Sequence, residues 1–423
     1  MLPRSAKIHK KRGNDRKDEP PAMKAIEITK GIYWVGVVDW TLRSFHGYTT
    51  SRGSSYNAYL ILDEKVTLID TVKHGFENEM LERIKSVIDP EKIDYVVSNH
   101  VEPDHSGGIP FIMKYAKNAK VVTSMPNGLK GLRAHYGEFD YQPVKTGESI
   151  SIGKRTLSFL QVPMLHWPDS MMTYCPEEKI LFSNDGFGQH LAASERFDDE
   201  NDLSIVIEEA QKYYANILML YGRQAAKALT DTKDFDIQMI ATGHGVLWRK
   251  NVAKIVELYK KWSAADLDEK AVVVYDTMWH STEKMARTIT EALRECGISV
   301  KLFDIKTTPN SVGYYDIKKN PHADIMTDIL TSRYLAVGSP TLNNQMMPTI
   351  AGFLTYFKGL SPRHHKAFAF GSYGWGGQSI GLIEDELKAA GCEIILDKIR
   401  IQEIPSTEQL EEIRQSVLAY KKA

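Results

Sequence analysis

Five short β-branched runs, at 271–275, 300–303, 334–337, 367–370 and 393–396, alternate one for one with helical segments in the last third of the chain. Strict alternation leaves each strand connected to the next through a helix. It therefore predicts a five-stranded doubly wound parallel sheet with helices on both faces, over residues 271–423. Residues 26–263 follow another rule. Strand-like runs at 33–38, 58–62, 66–69, 95–97, 121–123, 157–162, 171–174 and 180–182 end in turn formers, and amphipathic segments at 75–88, 126–135 and 202–220 lie between or after them. Paired strands first and clustered helices later predict two sheets sandwiched between helices, over residues 23–265. The polar stretch 264–270 reads as a linker.

Composition narrows what such a chain does. Its 53 Lys and Arg against 54 Asp and Glu provide no basic field for nucleic acid. Lys7, Lys10, Lys11, Arg12, Arg16 and Lys17 crowd a polar stretch, 1–22, that reads as a disordered basic tail. No apolar run reaches the 18 or so residues of a membrane helix, and no signal-peptide hydrophobic region precedes the first domain. Cys175, Cys296 and Cys392 are too scattered for a disulfide framework, a zinc ribbon or a cysteine-ligated iron centre. A cytoplasmic protein without membrane or nucleic-acid partners is the expectation.

The string Asn99-His100-Val101-Glu102-Pro103-Asp104-His105-Ser106-Gly107-Gly108 leaves the end of a predicted strand. His100, Glu102, Asp104 and His105 stand at i, i+2, i+4 and i+5, a spacing that no single helical face accommodates. Pro103 confines any helix to its first turn, and the paired glycines give the loop backbone freedom. Such a loop can wrap its side chains around a pair of ions. His166, Asp185 and His244 each follow a later strand-like run, His244 between two glycines. A single strand-end His or Asp is adequately explained as structural; seven in this order are not. Three carboxylates and four imidazoles form a hard, anionic donor set suited to iron in a redox role. Asp70 either orients a ligand histidine or caps a turn. Tyr213 and Tyr214 either sit near the substrate side or, the better reading, pack in the core, and His190 reads as non-ligating.

Three strand-end loops of the second domain point to a flavin. Thr277, Met278, Trp279, His280, Ser281 and Thr282 open a helix near Glu283, and their hydroxyls and amides form a cradle for a monophosphate. The loop lacks the nucleoside-triphosphate pattern G-x-x-x-x-G-K-[ST]. Ser339, Pro340, Thr341, Leu342 and Asn343 follow the third strand, and Ser372, Tyr373, Gly374, Trp375 and Gly376 the fourth. At the carboxyl edge of a doubly wound sheet, these aromatics and free amides can sandwich a flat ring. Together the three loops describe an FMN site.

The pattern H-x-[HE]-x-D-H, then a distant His, Asp and His, resembles that of the metallo-β-lactamase fold. Hydrolases of that superfamily carry His where this chain has Glu102, commonly with zinc. The version with Glu, followed by a flavodoxin-like domain, resembles the flavodiiron proteins over residues 26–423. The resemblance implies an α/β chain: an N-terminal metallo-β-lactamase-like αββα sandwich, then a flavodoxin-like doubly wound parallel five-stranded sheet. It implies FMN and two non-haem Fe ions, with His100, Glu102 and His166 on one iron, Asp104, His105 and His244 on the other, and Asp185 bridging. It further implies an oxidoreductase that takes electrons from rubredoxin or another external donor and reduces dioxygen, nitric oxide or both. A head-to-tail homodimer, or a dimer of dimers, is the assembly it implies. Two rival readings are a hydrolase that activates a metal-bound water and a non-catalytic flavin electron carrier. Glu102 and the appended domain oppose the first, and the complete set of seven ligand positions opposes the second.

Overall fold

The computed structural model describes residues 23–306 and 321–422, so the basic tail at 1–22 lies outside the described residues. A seven-stranded sheet runs in the order Ile26–Thr29, Ile32–Trp34, Tyr59–Ile61, Val66–Ile69, Ile93–Ser98, Lys120–Ser124, Tyr141–Val144. Its first pairings are antiparallel and its last three parallel. A five-stranded sheet follows, with Ser149–Ser151, Thr156–Gln161, Met171–Cys175 and Ile180–Asn184 antiparallel and Met239–Thr242 joining parallel to the last.

Side-chain alternation sorts the sequence between layers. Tyr59 and Ile61 point into the space between the sheets, where Val97 and Val122 meet Phe159, Phe182 and Ala241. Ala58 and Leu60, on the opposite face, pack with Met80, Leu81 and Ile84 of helix Glu77–Lys85. Helices Leu203–Tyr213 and Val252–Ala264 cover the outer face of the second sheet. This is the expected αββα sandwich. Two details differ from the sequence reading. The run 33–38 splits, because Val37–Asp39 leaves the large sheet to pair with Ser54–Tyr56. The helix expected over 202–220 stays α-helical only to Tyr213, then widens into a π turn, Tyr214–Leu218, and tightens over Met219–Tyr221.

The second domain has the order Ser299–Asp304, Asp268–Tyr275, Ser332–Gly338, Lys366–Tyr373, all parallel, as in a flavodoxin. Its fifth position is not one strand at 393–396 but two pieces. Glu393–Ile394 and Ile399–Gln402 both pair with Lys366–Tyr373. Residues 395–398 face only Phe368 and Ala369, so the surplus backbone, with Asp397 and Lys398, bulges from the edge.

The linker is shorter than the polar stretch suggested. The helix continues to Ala264, Ala265 takes a left-handed conformation, and the strand begins at Asp268, whose carboxylate holds Lys261 and Lys270. One hydrophobic cluster runs through both halves, joining Tyr213, Tyr214, Ile217 and Leu218 to Ala323, Met326, Ile350 and Phe353. We therefore expect the two halves to unfold together, in one thermal transition. Two resolved transitions in scanning calorimetry would show that this contact does not couple the halves.

Candidate metal centre and flavin cavity

The first site is built where strands of both sheets end at one rim. Strand Ile93–Ser98 releases the chain into the loop carrying His100, and Asn99 donates from its backbone N–H (2.8 Å) and Nδ2 (3.1 Å) to Asp70. Asn184 donates to the same carboxylate at 3.3 Å. Asp70 thus ties together the loops bearing His100 and Asp185, and among the described residues it accepts from these two asparagines and from no histidine. Glu102 precedes the one-turn helix Pro103–Ser106, which presents Asp104 and His105. Gly107 serves by its lack of a side chain, since its φ is −60° and a Cβ there would stand 2.4 Å from the Pro103 carbonyl oxygen. At Gly243 a Cβ would stand 2.8 Å from His105 Cε1, so this glycine lets His244 approach His105.

All seven candidate ligands are buried, and they form two groups. Donor atoms of His100, Glu102, His166 and Asp185 lie within 4.8 Å of one another, as do those of Asp104, His105 and His244. Asp185 belongs to both by geometry. Its Oδ2 lies 3.2 Å from His166 Nε2 and 3.5 Å from His100 Nε2, while its Oδ1 lies 3.0 Å from His105 Nε2 and 3.4 Å from His244 Nε2. Glu102 Oε2 stands 3.2 Å from the Nε2 atoms of both His100 and His166.

Electrostatics identify what the cluster is built to hold. Burial disfavours the charged imidazole of His166, yet hydrogen bonds to Asp185 and Glu102 outweigh it and push the pKa up to about 9. Burial is likewise overcome at His244, pushed up to about 10 by Asp104 and Asp185. Burial would raise Glu102 and Asp185, but the surrounding histidines hold both well below the usual carboxylate range. Both Asp104 oxygens, Asp185 Oδ2 and His105 Nδ1 are buried without a well-directed hydrogen bond. Buried charge of this kind calls for cations, and the two donor groups fit two metal ions.

The outer nitrogens of two histidines are anchored, which leaves Nε2 facing the centre. His100 Nδ1 meets Asp169 Oδ2 at 2.9 Å, and His244 Nδ1 meets the Ser55 carbonyl at 2.7 Å. Asp169 also accepts the Val101 N–H at 2.7 Å. Sequence reasoning passed over Asp169 because nothing local links it to a motif 69 positions away. Asp169→Ala is expected to weaken metal binding about 10- to 100-fold, measured by metal content after competition with a chelator. His46 was missed for the same reason. It sits between Ser44–Phe45 and Tyr48–Thr49, and its Nε2 lies 2.5 Å from Glu102 Oε1. Tyr213, read as a core residue, is buried but donates its hydroxyl to Asp185 Oδ1 at 2.9 Å. His190 is buried beside His244, with Nδ1 bonded to Ser54 Oγ at 2.6 Å, and belongs to neither donor group.

The second site is a cavity of about 220 Å³ at the carboxyl edge of the flavodoxin-like sheet. Met278, Trp279, Ser281, Pro340, Thr341, Ser372, Tyr373 and Gly374 line it, drawn from all three predicted loops. Glu403 and Ile404 complete the wall, delivered by the second half of the bulged edge strand. The other predicted residues do not line it. Thr282 is buried and bonded to Ser372 Oγ at 2.9 Å. Ser339 Oγ is occupied by Pro340 O and Met347 N, while His280 turns outward to Glu283. Leu342 pairs with Gln345, Asn343 has a φ of 51°, Gly376 packs near Gln378, and Trp375 is 95% exposed. Thr277 Oγ1 is buried without a partner beside the start of helix Ser281–Glu295, a free hydroxyl next to a set of helix-end amides. A phosphate-bearing flavin fits this chemistry.

A β-lactamase-type sandwich with two buried ion-binding groups, fused to a flavodoxin-type sheet with an open cofactor edge, defines a class of two-centre metalloflavoprotein. Comparison with known proteins agrees. Residues 55–245 match the ODP family of beta lactamases and residues 273–416 match flavodoxin. The chain is 44% identical over 393 residues to a nitric oxide reductase of Moorella thermoacetica, covering 91% of this chain and 95% of that one. It is 40% identical over 411 residues to the rubredoxin-oxygen oxidoreductase of Megalodesulfovibrio gigas, covering 95% and 99%. The solved flavodiiron protein of Giardia intestinalis superposes with a TM-score of 0.89 at 38% identity, covering 96% and 97%. The chain belongs to the flavodiiron protein family.

Proposed function

We propose that this chain is an oxidoreductase that passes electrons from an external rubredoxin-type carrier through FMN to a non-haem diiron centre, which reduces dioxygen to water, nitric oxide to nitrous oxide, or both. The cofactors are FMN and two iron ions. The reading rests above all on Asp185, a buried carboxylate with one oxygen toward each group of histidines. His100, Glu102 and His166 would hold one iron, Asp104, His105 and His244 the other, and Asp185 would bridge them. The flavin would occupy the cavity lined by Ser281, Thr341, Ser372 and Tyr373, with its phosphate toward Thr277, Ser281 and the neighbouring helix amides.

The cofactors supply electrons in matching number: a diferrous pair carries two and a reduced flavin two more, against four for dioxygen and two for a pair of nitric oxide molecules. The chain's own residues do the rest. Asp169 and the Ser55 carbonyl orient two histidines, the Tyr213 hydroxyl fixes the central carboxylate, and His46 holds the outer oxygen of Glu102. Phe45 and His190 pack beside His244, and Tyr48 packs behind them against both rings, so that bulk water is kept from that side. Among the described residues no helix is long and apolar enough to cross a membrane, and we place the protein in the cytoplasm. We take the working unit to be a head-to-tail homodimer, alone or paired into a tetramer.

Metal and flavin analysis of anaerobically purified protein, followed by stopped-flow of the photoreduced protein against each gas, tests the reading. Two irons and one FMN per chain, with rapid reoxidation by one gas or both, are expected. Zinc at the centre, or flavin without metal, would overturn it.

A further inference from the structure

The helix that ends at Tyr213 faces two domains at once. Tyr213 itself donates to Asp185 Oδ1 at 2.9 Å. The next residues, Tyr214–Leu218, form the π turn, an arrangement that widens a helix, costs it regular hydrogen bonding and recurs at functional sites. Within that turn Asn216 is buried and fully engaged across the domain boundary. Its Oδ1 accepts the Tyr356 hydroxyl at 2.8 Å, and its Nδ2 donates to the Ala323 carbonyl at 3.2 Å. The same Nδ2 donates back to the Lys212 carbonyl at 2.8 Å, within its own widened turn.

The flanking residues repeat the pattern. Lys212 Nζ lies 2.6 Å from Asp324 Oδ1, and Gln211 Nε2 donates to the Thr327 carbonyl at 2.7 Å. Residues 323, 324 and 327 all lie on helix Pro321–Ile329, and Tyr356 on helix Pro348–Gly359, both of the flavodoxin-like domain. The helical stretch that places a hydroxyl on the central carboxylate is therefore held from the other domain.

We propose that Tyr356 and Asn216 are positioning residues, through which the flavodoxin-like domain sets the Tyr213 hydroxyl against Asp185 and so fixes the geometry of the diiron centre. The proposal rests on the diiron reading above. A purely adhesive contact makes a different prediction: losing the Tyr356 hydroxyl would lower stability and leave the metal centre unchanged.

The test uses the full chain loaded with iron and FMN, and compares wild type, Tyr356→Phe, Asn216→Ala, Tyr213→Phe and the double variant Tyr213→Phe/Tyr356→Phe. Arg363→Met serves as a control, because it removes another interdomain hydrogen bond, to the Ser263 carbonyl, that involves neither Tyr213 nor Asn216. Iron and FMN content should be unchanged in Tyr356→Phe. The EPR spectrum of its diiron centre after one-electron reduction should shift toward that of Tyr213→Phe, while Arg363→Met keeps the wild-type spectrum. Turnover should fall about five-fold in Tyr356→Phe, the size of one lost hydrogen bond, and should fall no further in the double variant than in Tyr213→Phe. An unshifted spectrum in both Tyr356→Phe and Asn216→Ala, or additive losses in the double variant, overturns the proposal. Wild-type protein that binds iron but reduces neither gas would sink the functional reading instead, and the spectral comparison would still decide this one.

Discussion

Replacing Glu102 by alanine is expected to lower gas reduction by roughly 100-fold or more, beyond the range seen when only a ligand's supporting partner is removed. Glu102 faces His100 and His166 through one oxygen and His46 through the other. Its loss would take a hard oxygen donor from one metal position and leave His46 without its carboxylate. Iron per chain should fall by up to half, because Asp104, His105 and His244 form a separate group. FMN content should stay at one per chain, since Glu102 takes no part in the hydrophobic cluster that joins the domains. A variant that kept two irons and full turnover would refute the metal assignment. Glu102→His supplies a contrast: exchanging carboxylate for imidazole should move selectivity toward zinc, visible in metal content after growth with both ions.

Mixing two inactive chains is expected to restore activity. The first domain, of about 240 residues, has a radius of gyration of roughly 18 Å, so a rim on one domain and a sheet edge on the other lie far apart for rapid electron transfer. The tight connection at Ala265 and the shared hydrophobic cluster prevent the halves from swinging together. The head-to-tail dimer proposed above would place the flavin of one chain against the metal centre of the other. Asp185→Ala should abolish the metal centre, and Thr341→Trp should fill the flavin cavity. Each variant alone should be inactive. After joint unfolding and reassembly, heterodimers carry one intact pair of centres and should recover a large part of wild-type turnover per intact pair. Heterodimers that form, confirmed by differential tagging, yet stay inactive would place the transfer within one chain.

The difference between what the sequence disclosed and what it hid is one of range. His100, Glu102, Asp104 and His105 are visible because they crowd one loop, and His166, Asp185 and His244 because each follows a β-branched run. The sandwich was legible through the order of elements, with paired strands first and clustered helices later. His46, Asp169 and the role of Tyr213 were not, because each is a lone residue brought to the site by sheet pairing or helix packing. The turn at Tyr214–Leu218 escaped because its sequence, apolar but for Asn216, reads by periodicity as ordinary buried helix. Glu403 and Ile404 were hidden by the bulged edge, which returns the chain to the sheet after the expected strand has ended.

The hydrophobic cluster that runs through both halves limits how such a chain can be recombined. A flavodoxin-like half borrowed from elsewhere would bring its own surface to Ile217 and Leu218, and its own groups to Asn216 and Lys212. The two halves therefore behave as a matched pair more than as interchangeable cassettes. Substitutions on helices Pro321–Ile329 and Pro348–Gly359 become inherited together with those around Tyr213. An engineer who grafts a new flavin domain onto this metal domain must carry that helical seam across with it.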